Sequence, residues 1–434
     1  MRSTGWKVVA ILAATQTLAF FHRSLATLLA EPIRLEYGVS DTMIGVLIGA
    51  AFSISFVIAA FPLGHLSDHR HRFRLLGIYV TIWSILTSLA AAASSFALLL
   101  LLRAGSASAM SGVTPAAGSL LADRYSGARL AKPMGIYSSG IYFGVGFSLL
   151  VGGGLAAWFD PFALVHTGIL PPLAGWKVIY LLSGLPGLLL AAILVTRPDP
   201  QRSAAPASPA ERSGPILAFL TERPRNYLRV LLALTMLVLV ATAVGAWLPS
   251  LFVGKHGWAI EDIGLWSGAI VISAGLLGTL GSGFLVQAAQ RITGMPRPQA
   301  PVLILAATIS APLAVALPLV SSPYACLALF FCRSFLGGII IALGYSILLS
   351  LAPSEQRGRL TAITGISLNL IGGALAPIAV AVITDLIFAD PQDLPLSLAI
   401  VNAFGSIAAA IILLTGARTL LSCADTESDA APRT

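Results

Sequence analysis

Runs of about twenty nearly uncharged residues, each closed by a short polar break, recur twelve times along this chain. A helix needs roughly 20 apolar residues to cross the bilayer's hydrocarbon. Lipid offers no partner for an open backbone N–H or C=O, so a run that crosses must satisfy itself as a helix. The runs lie at about 7–31, 42–64, 74–95, 97–121, 131–157, 176–196, 227–252, 262–287, 300–319, 323–352, 358–384 and 395–417. Composition agrees: 57% of the 434 residues are hydrophobic and only 10% are charged, with mean hydropathy +0.89. A soluble chain carries about a quarter charged residues. The expectation is an all-α integral membrane protein with twelve spans.

The net charge of +8 does not point to nucleic acid, because the basic residues sit in short breaks beside apolar runs, where they set topology. With the N-terminus inside, the outer breaks hold only Arg34, Lys177 and Lys255 as strong bases, beside Asp160, Glu261, Asp262, Asp385, Asp390 and Asp393. This bias predicts both termini in the cytoplasm, and the expected location is the plasma (bacterial inner) membrane. The N-terminal run resembles a secretory signal, but it continues to about Ala30 with no small-x-small cleavage site behind it, so it reads as the first span.

Residues 197–226 interrupt the apolar pattern with Pro198, Pro200, Pro206, Pro209, Pro215 and Pro224 among Ala, Ser and Arg. Such a stretch cannot bury a core and reads as a flexible cytoplasmic linker. The expected organisation is a six-helix bundle at 1–196, the linker at 197–226, a second six-helix bundle at 227–419 and a tail at 420–434. The halves are related. Adding 230 to positions in spans four and five maps Arg103 onto Arg333, Arg129 onto Arg359, Gly135 onto Gly365 and Ile136 onto Ile366. Two repeated bundles with a site between them is a plan of membrane carriers.

Three charges lie well inside spans: Arg23, Arg103 and Arg333. Each costs roughly 2.5–3.5 kcal/mol on insertion scales, so each should face a bundle interior or reach toward the surface. No acid is comparably deep. Two readings follow. The guanidiniums line a cationic cavity suited to an anionic ligand, or Arg103 and Arg333 tie helices through backbone carbonyls. Helical spacing puts Gln16, Phe20 and Thr27 on the face of Arg23. Tyr142 in span five and Asn369 in span eleven are further candidate liners, although hydroxyls and amides in spans often only bridge helices. Glycines 135, 140, 144, 146 and 152–154 of span five are accounted for by close helix packing.

The break Gly64-His65-Leu66-Ser67-Asp68-His69-Arg70-His71-Arg72-Phe73-Arg74 concentrates three Arg, three His and one Asp in eleven residues, and reads as a tight cytoplasmic turn. Its pattern Gly64-x-Leu66-x-Asp68-x-x-x-Arg72 resembles the loop between the second and third helices of the major facilitator superfamily. His69 stands where that family usually has Arg, and His71 where it has a second Gly. The resemblance implies the major facilitator fold, two pseudo-symmetric six-helix bundles working by alternating access. Gly64, Asp68, Arg72, Arg74 and Arg359 would form a conformational gate. Gly64 would allow close backbone approach, Asp68 would latch onto the start of span eleven, and Arg72 and Arg74 would contact the membrane face or neighbouring loops.

A closer likeness covers nearly the whole chain. Arg23–Arg34 with Gly38–Gly45, Thr114-Pro-Ala-Ala117, Gly184-Leu-Pro-Gly187, Trp247-Leu-Pro-Ser250 and Asn369-Leu-Ile-Gly372 are similar to spinster-type transporters. That resemblance implies a proton-linked carrier of amphiphiles such as lysolipids. The acid usual before the first-span Arg is His22 here, and the usual acid of span four is replaced within Ser108-Ala-Met110-Ser. His22 is therefore the candidate for proton coupling, and facilitated or exchange transport stays open.

The expected function is secondary active or facilitative transport of an anionic amphiphile or another organic anion. A multidrug-type exporter of cationic or neutral compounds is the alternative, and a transporter-shaped ligand sensor a further one. No Walker-type phosphate loop, nucleophile triad or metal-ligand spacing occurs, and Cys326, Cys332 and Cys423 fit neither a metal site nor a disulfide framework. No enzymatic activity, cofactor, metal or nucleic-acid partner is expected. The partners are the small-molecule or lipid-like substrate, membrane lipids and, if coupling exists, protons; the chain is expected to act as a monomer. If Asp68 latches the cytoplasmic seam, Asp68→Asn slows cycling without abolishing ligand binding. Unchanged transport by a well-expressed Asp68→Asn protein would contradict the latch.

Overall fold

Where the apolar runs begin, the sequence often supplies an acceptor for the first open backbone N–H groups. Ser40 Oγ accepts from Met43 N, Ser95 Oγ from Leu98 N at 3.2 Å, and Ser322 Oγ from Ala325 N with Pro323 leading the next helix. The computed structural model describes residues 2–125, 127–166, 171–199, 224–295, 298–351 and 357–426. Side chains at 2–4, 68, 127–128, 131, 224–225, 357–359, 362 and 416–426 lie outside that description. So does most of the expected linker, 200–223, and so do the side chains of Asp68 and Arg359.

Among the described residues, twelve helices are long and apolar enough to cross a membrane. They are α1 Gly5–Leu28, α2 Asp41–Ser67, α3 Arg72–Ala92, α4 Phe96–Arg124, α5 Lys132–Trp158 and α6 Gly175–Val195. Then come α7 Asn226–His256, α8 Ile260–Thr293, α9 Gln299–Ala316, α10 Pro323–Leu351, α11 Ile363–Phe388 and α12 Pro391–Thr415. A short helix, Ala30–Tyr37, joins α1 to α2 and ends on left-handed Gly38, whose N–H bonds Arg34 O. A two-stranded hairpin, β1 Leu164–Val165 with β2 Leu173–Ala174, joins α5 to α6.

One expectation is corrected. The charged break at 64–74 is not a turn along its length, because helix continues to His69 and resumes at Arg72, leaving only Arg70 and His71 between. Polarity ends the hydrocarbon-embedded part of a helix without ending the helix. His71 Nδ1 accepts from Arg74 N at 3.3 Å and restarts the chain.

Contacts group the chain into two compact units. The first comprises Met1–Ala204, Ala246–Ile272 and Pro377–Gln392. The second comprises Ala205–Gly245, Ser273–Ala376 and Asp393–Thr434. In the first, α1 packs along α5, α3 along α6 and α2 along α4. Its core gathers Trp83, Tyr79, Phe73, Phe52 and Leu76 with Val113, Leu120 and Leu121. In the second, α9 packs along α10 and α12, and the core gathers Tyr227, Leu231 and Leu234 with Ile339, Leu343 and Leu360.

Span five uses its glycines on two sides. A Cβ at Gly140 would fall 2.8 Å from Ala13 O, and one at Gly144 closer still to Thr17 O, so α5 meets the backbone of α1 directly. On another face, a Cβ at Gly146 would meet Gly268 O at 2.9 Å, and one at Gly153 would meet Gly264 Cα at 2.9 Å, so α5 also meets the first turns of α8 within the same unit. Gly144→Val is expected to force α1 from α5 and destabilise the protein by about 1–3 kcal/mol, the range for overpacking. A lower thermal unfolding midpoint in detergent, with Gly135→Ala as the control where a Cβ meets nothing, checks it.

Candidate functional site

Two of the three charged residues expected inside spans converge in the first unit around one ring. Arg23 on α1 and Arg103 on α4 place their guanidinium carbons 4.7 and 4.8 Å from the centroid of Phe52 on α2. Arg23 also lies 5.6 Å from the centroid of Phe20, one turn earlier on its own helix. A guanidinium over an aromatic face is attracted by the ring quadrupole, more strongly where water is excluded. Phe52 is fully buried and Arg23 half-buried.

Arg103 is buried and committed to backbone. Its Nη1 donates to His22 O at 3.0 Å and its Nη2 to Arg23 O at 2.5 Å. It also borders a small cavity with Ser106, Tyr180, Thr87, Leu47 and Leu99. Arg333 on α10 does the corresponding thing in the second unit: its Nη2 donates to Val240 O of α7 at 3.3 Å, and it too is buried. In each half, then, the fourth helix's arginine is tied to backbone carbonyl of that half's first helix. Of the two readings of Arg103 and Arg333, the geometry in each unit is that of a helix tie. Carbonyls near the middle of a helix have a lone pair left after the i→i+4 bond, which is what a buried guanidinium can reach without any acid.

His22 is 1% exposed. Its Nε2 is 2.7 Å from Ser183 O of α6, and because a carbonyl only accepts, Nε2 carries the proton. Nδ1 is buried and has no hydrogen-bond partner among the described residues. Gln16 is buried, and its Oε1 accepts from Tyr137 OH of α5 at 2.7 Å. Tyr142 is half-buried on α5. In the second unit, Asn369 donates from Nδ2 to Gly365 O at 2.9 Å within α11. The structure thus brings Arg23, Arg103 and His22 together, sets Gln16 two turns from Arg23 along α1, and places Arg333 and Asn369 in the other unit. Sequence reasoning missed Phe52, Tyr137 and Ser183. Phe52 and Tyr137 are ordinary apolar-run residues in sequence, and Ser183 contributes only a carbonyl.

At the end of the first unit where α2 meets α3, Arg72, expected to contact the membrane face or neighbouring loops, turns inward onto neighbouring segments. Its side chain is fully buried. Its backbone N–H and Nε donate to Asp199 Oδ2 and Oδ1 at 2.8 and 3.1 Å, and Nη1 donates to Ser119 Oγ at 2.9 Å and to Asp123. Arg72 therefore joins the ends of α4 and α6. Asp199, two residues into the expected linker, is part of the bundle's contacts. Arg74 is exposed. Gly64 does not serve close approach here, since a Cβ would make ordinary contact with Pro115 Cγ at 3.8 Å. Asp68 and Arg359 lie outside the described side chains. Among the described residues, no group of three or more His, Cys, Asp or Glu is placed to hold a metal.

Twelve spans with a buried arginine tie in each half define a helical membrane protein with the two-part plan of membrane carriers. The model of the Major Facilitator Superfamily matches residues 12–377, and the chain belongs to that family. It is 25% identical over 385 residues to an MFS-type efflux pump of Mycolicibacterium smegmatis, covering 88% of this chain and 85% of that one. Its fold is shared with a bacterial homolog of the human lysosomal transporter spinster in an inward-facing and unoccupied conformation. That match has TM-score 0.77 and 22% identity, with 97% of each chain covered. The occupied form of that homolog matches at TM-score 0.74 and 22% identity over 97% of this chain and 96% of that one. The nucleoside transporter NupG matches at 0.73 and 14% identity over 93% and 99%.

Replacing Arg72 leaves two carboxylates facing each other without their shared cation. Breaking a buried pair from one side costs about 3–5 kcal/mol. Arg72→Ala is expected to lower the unfolding midpoint more than Asp199→Asn does, read by a thermal melt of purified protein.

Proposed function

We propose that this transporter moves an amphiphile with an anionic head, and that Arg23 on α1 receives the head. The observation that carries the reading is the setting of Arg23: a half-buried guanidinium beside the Phe20 and Phe52 rings, with the neighbouring Arg103 held by carbonyls and not by an acid. A cation flanked by aromatic rings suits a ligand that is charged at one end and apolar along the rest. Gln16 on α1 and Tyr142 on α5 are the polar side chains proposed to line the path within the first unit. The Lys and Arg bias supports both termini in the cytoplasm, so the ends of α1 and α5 and the starts of α2, α6 and α8 face outward.

A second reading, export of drug-like compounds, is favoured by one observation: the M. smegmatis relative spanning most of this chain is described as an efflux pump. The two readings differ in what Arg23 does. His22, with its buried Nδ1 lone pair, is the proposed proton site if transport is coupled.

Protein reconstituted in liposomes, supplied with lysophospholipids, organic anions and cationic dyes, decides between them. Arg23→Gln is expected to reduce flux of the anionic amphiphile by on the order of tenfold, equivalent to roughly 1.4 kcal/mol, and to leave any cationic substrate unaffected. Flux of cationic dyes alone, indifferent to Arg23→Gln, would favour the exporter. A flux that responds to a pH gradient in the native protein and not in His22→Ala would place the proton at His22.

A further inference from the structure

We propose that Asp385, at the far end of α11, is the latch of the transporter's outer gate, holding the start of α2 while that side is closed. The assignment of this side as outer rests on the orientation proposed above; the latch itself rests on geometry within the first unit. Asp385 Oδ2 accepts from Thr42 N at 2.7 Å, across 343 residues of chain. Thr42 is in the first turn of a 27-residue span, where backbone N–H groups have no partner inside the helix and the helix dipole favours a negative charge. Ser40 caps the neighbouring Met43 N from within its own segment, whereas the acceptor for Thr42 N comes from a different span. The second bond can part without disturbing α2, because water can take the place of the carboxylate.

The surfaces beside the latch are built for close but separable contact. A Cβ on Gly45, one turn into α2, would fall 3.0 Å from Pro377 O of α11, and the same carbonyl accepts from Trp247 Nε1 of α7 at 3.1 Å. Where α5 crosses α8, glycine meets glycine. Between those glycines lies the independent observation. Ser148 on α5 and Ser267 on α8 are both fully buried, and neither hydroxyl has a hydrogen-bond partner among the described residues. A permanently dry interface gains nothing from an unpaired hydroxyl, which loses its hydration on burial. A surface that is wetted in another state of the cycle regains it.

α11 also has the local means to bend beside the latch. Leu368–Leu375 and Ile383–Phe388 are widened, π-type turns, and Pro377 lies between them. Proline removes one helical N–H, and widened turns concentrate where helices work. The charged groups that interact with Asp385 are Arg34 and Asp41, with Glu31 paired to Arg34 behind them. Arg34 pairs with Glu31 at 2.6 Å and lies 3.6 Å from Asp41, and the hydrogen bonds it donates to Glu31 raise its guanidinium above the usual pKa, so it stays charged beside the latch.

The test uses the full chain in liposomes, with Cys326, Cys332 and Cys423 replaced by Ser and a reporter thiol introduced by Ser267→Cys. A membrane-impermeant maleimide added outside should label the Ser267→Cys thiol several-fold faster when Asp385→Asn is also present, with Asp385→Glu restoring the slow rate. A second reporter, Ser84→Cys, buried where α3 meets α6 and away from α8, should label at the same slow rate in both backgrounds. Acceleration at both reporters would show general loosening and overturn the latch, as would equal labelling of Ser267→Cys with Asp385 and with Asn in its place. Acceleration seen only when the reagent is inside supports the latch and overturns the orientation. No substrate is needed, so failure of the anionic-amphiphile reading leaves this result standing.

Discussion

A guanidinium buried between helices needs acceptors, and a hydrocarbon-embedded bundle without acids has only backbone carbonyls to offer. That constraint organises each half of this transporter. Arg103 binds the carbonyls of His22 and Arg23, and Arg333 binds that of Val240, so the fourth helix is fastened to the first in both halves. The same bond, made twice, is the clearest structural trace of the internal repeat. Arg23 lies half-buried against the Phe20 and Phe52 rings, beside the Arg103 tie.

Charge is treated differently where α2 meets α3. There Arg72 is as buried as any residue in the protein, yet it has two carboxylates and a hydroxyl to satisfy it. The contrast follows from depth. Near a helix end, Asp123 and Asp199 can approach from segments that emerge from the bilayer, whereas at the level of Arg103 an acid would itself have to be inserted and desolvated. The first unit therefore has an ion-paired end and a carbonyl-tied interior, both stitched by arginine.

Its other end is held by shape. Glycines on α2, α5 and α8 let backbones touch, Lys177 at the start of α6 pairs with Glu36, and Asp385 accepts from Thr42 N, joining two spans that are far apart in sequence. The first unit also takes in Ala246–Ile272 and Pro377–Gln392, parts of α7, α8 and α11. Compactness therefore does not follow the six-plus-six repeat, and the breaks fall at Gly245–Ala246, Ile272–Ser273 and Ala376–Pro377. For a protein whose cycle exchanges contacts, a repeat boundary and a packing boundary need not coincide.

The family was legible only through the resemblance carried by motifs such as Gly64-x-Leu66-x-Asp68-x-x-x-Arg72. Hydropathy and charge were enough to read the class and the twelve spans, because a bilayer imposes length and self-satisfaction on each segment separately. Those are local properties, and periodicity shows them. They were also enough to single out Arg23, Arg103, Arg333 and His22, since a polar group inside an apolar run stands out. Their partners were not legible. Ser183 and Val240 act through main-chain oxygen, which every residue has, and Phe52 is one more apolar residue in an apolar run. Asp199 looked like the first turn of a linker, and Asp385 like a loop acid that merely marks topology. Which of these meets which depends on how separate helices cross, and that is decided by side-chain shape and backbone approach across hundreds of residues, where no local pattern reaches.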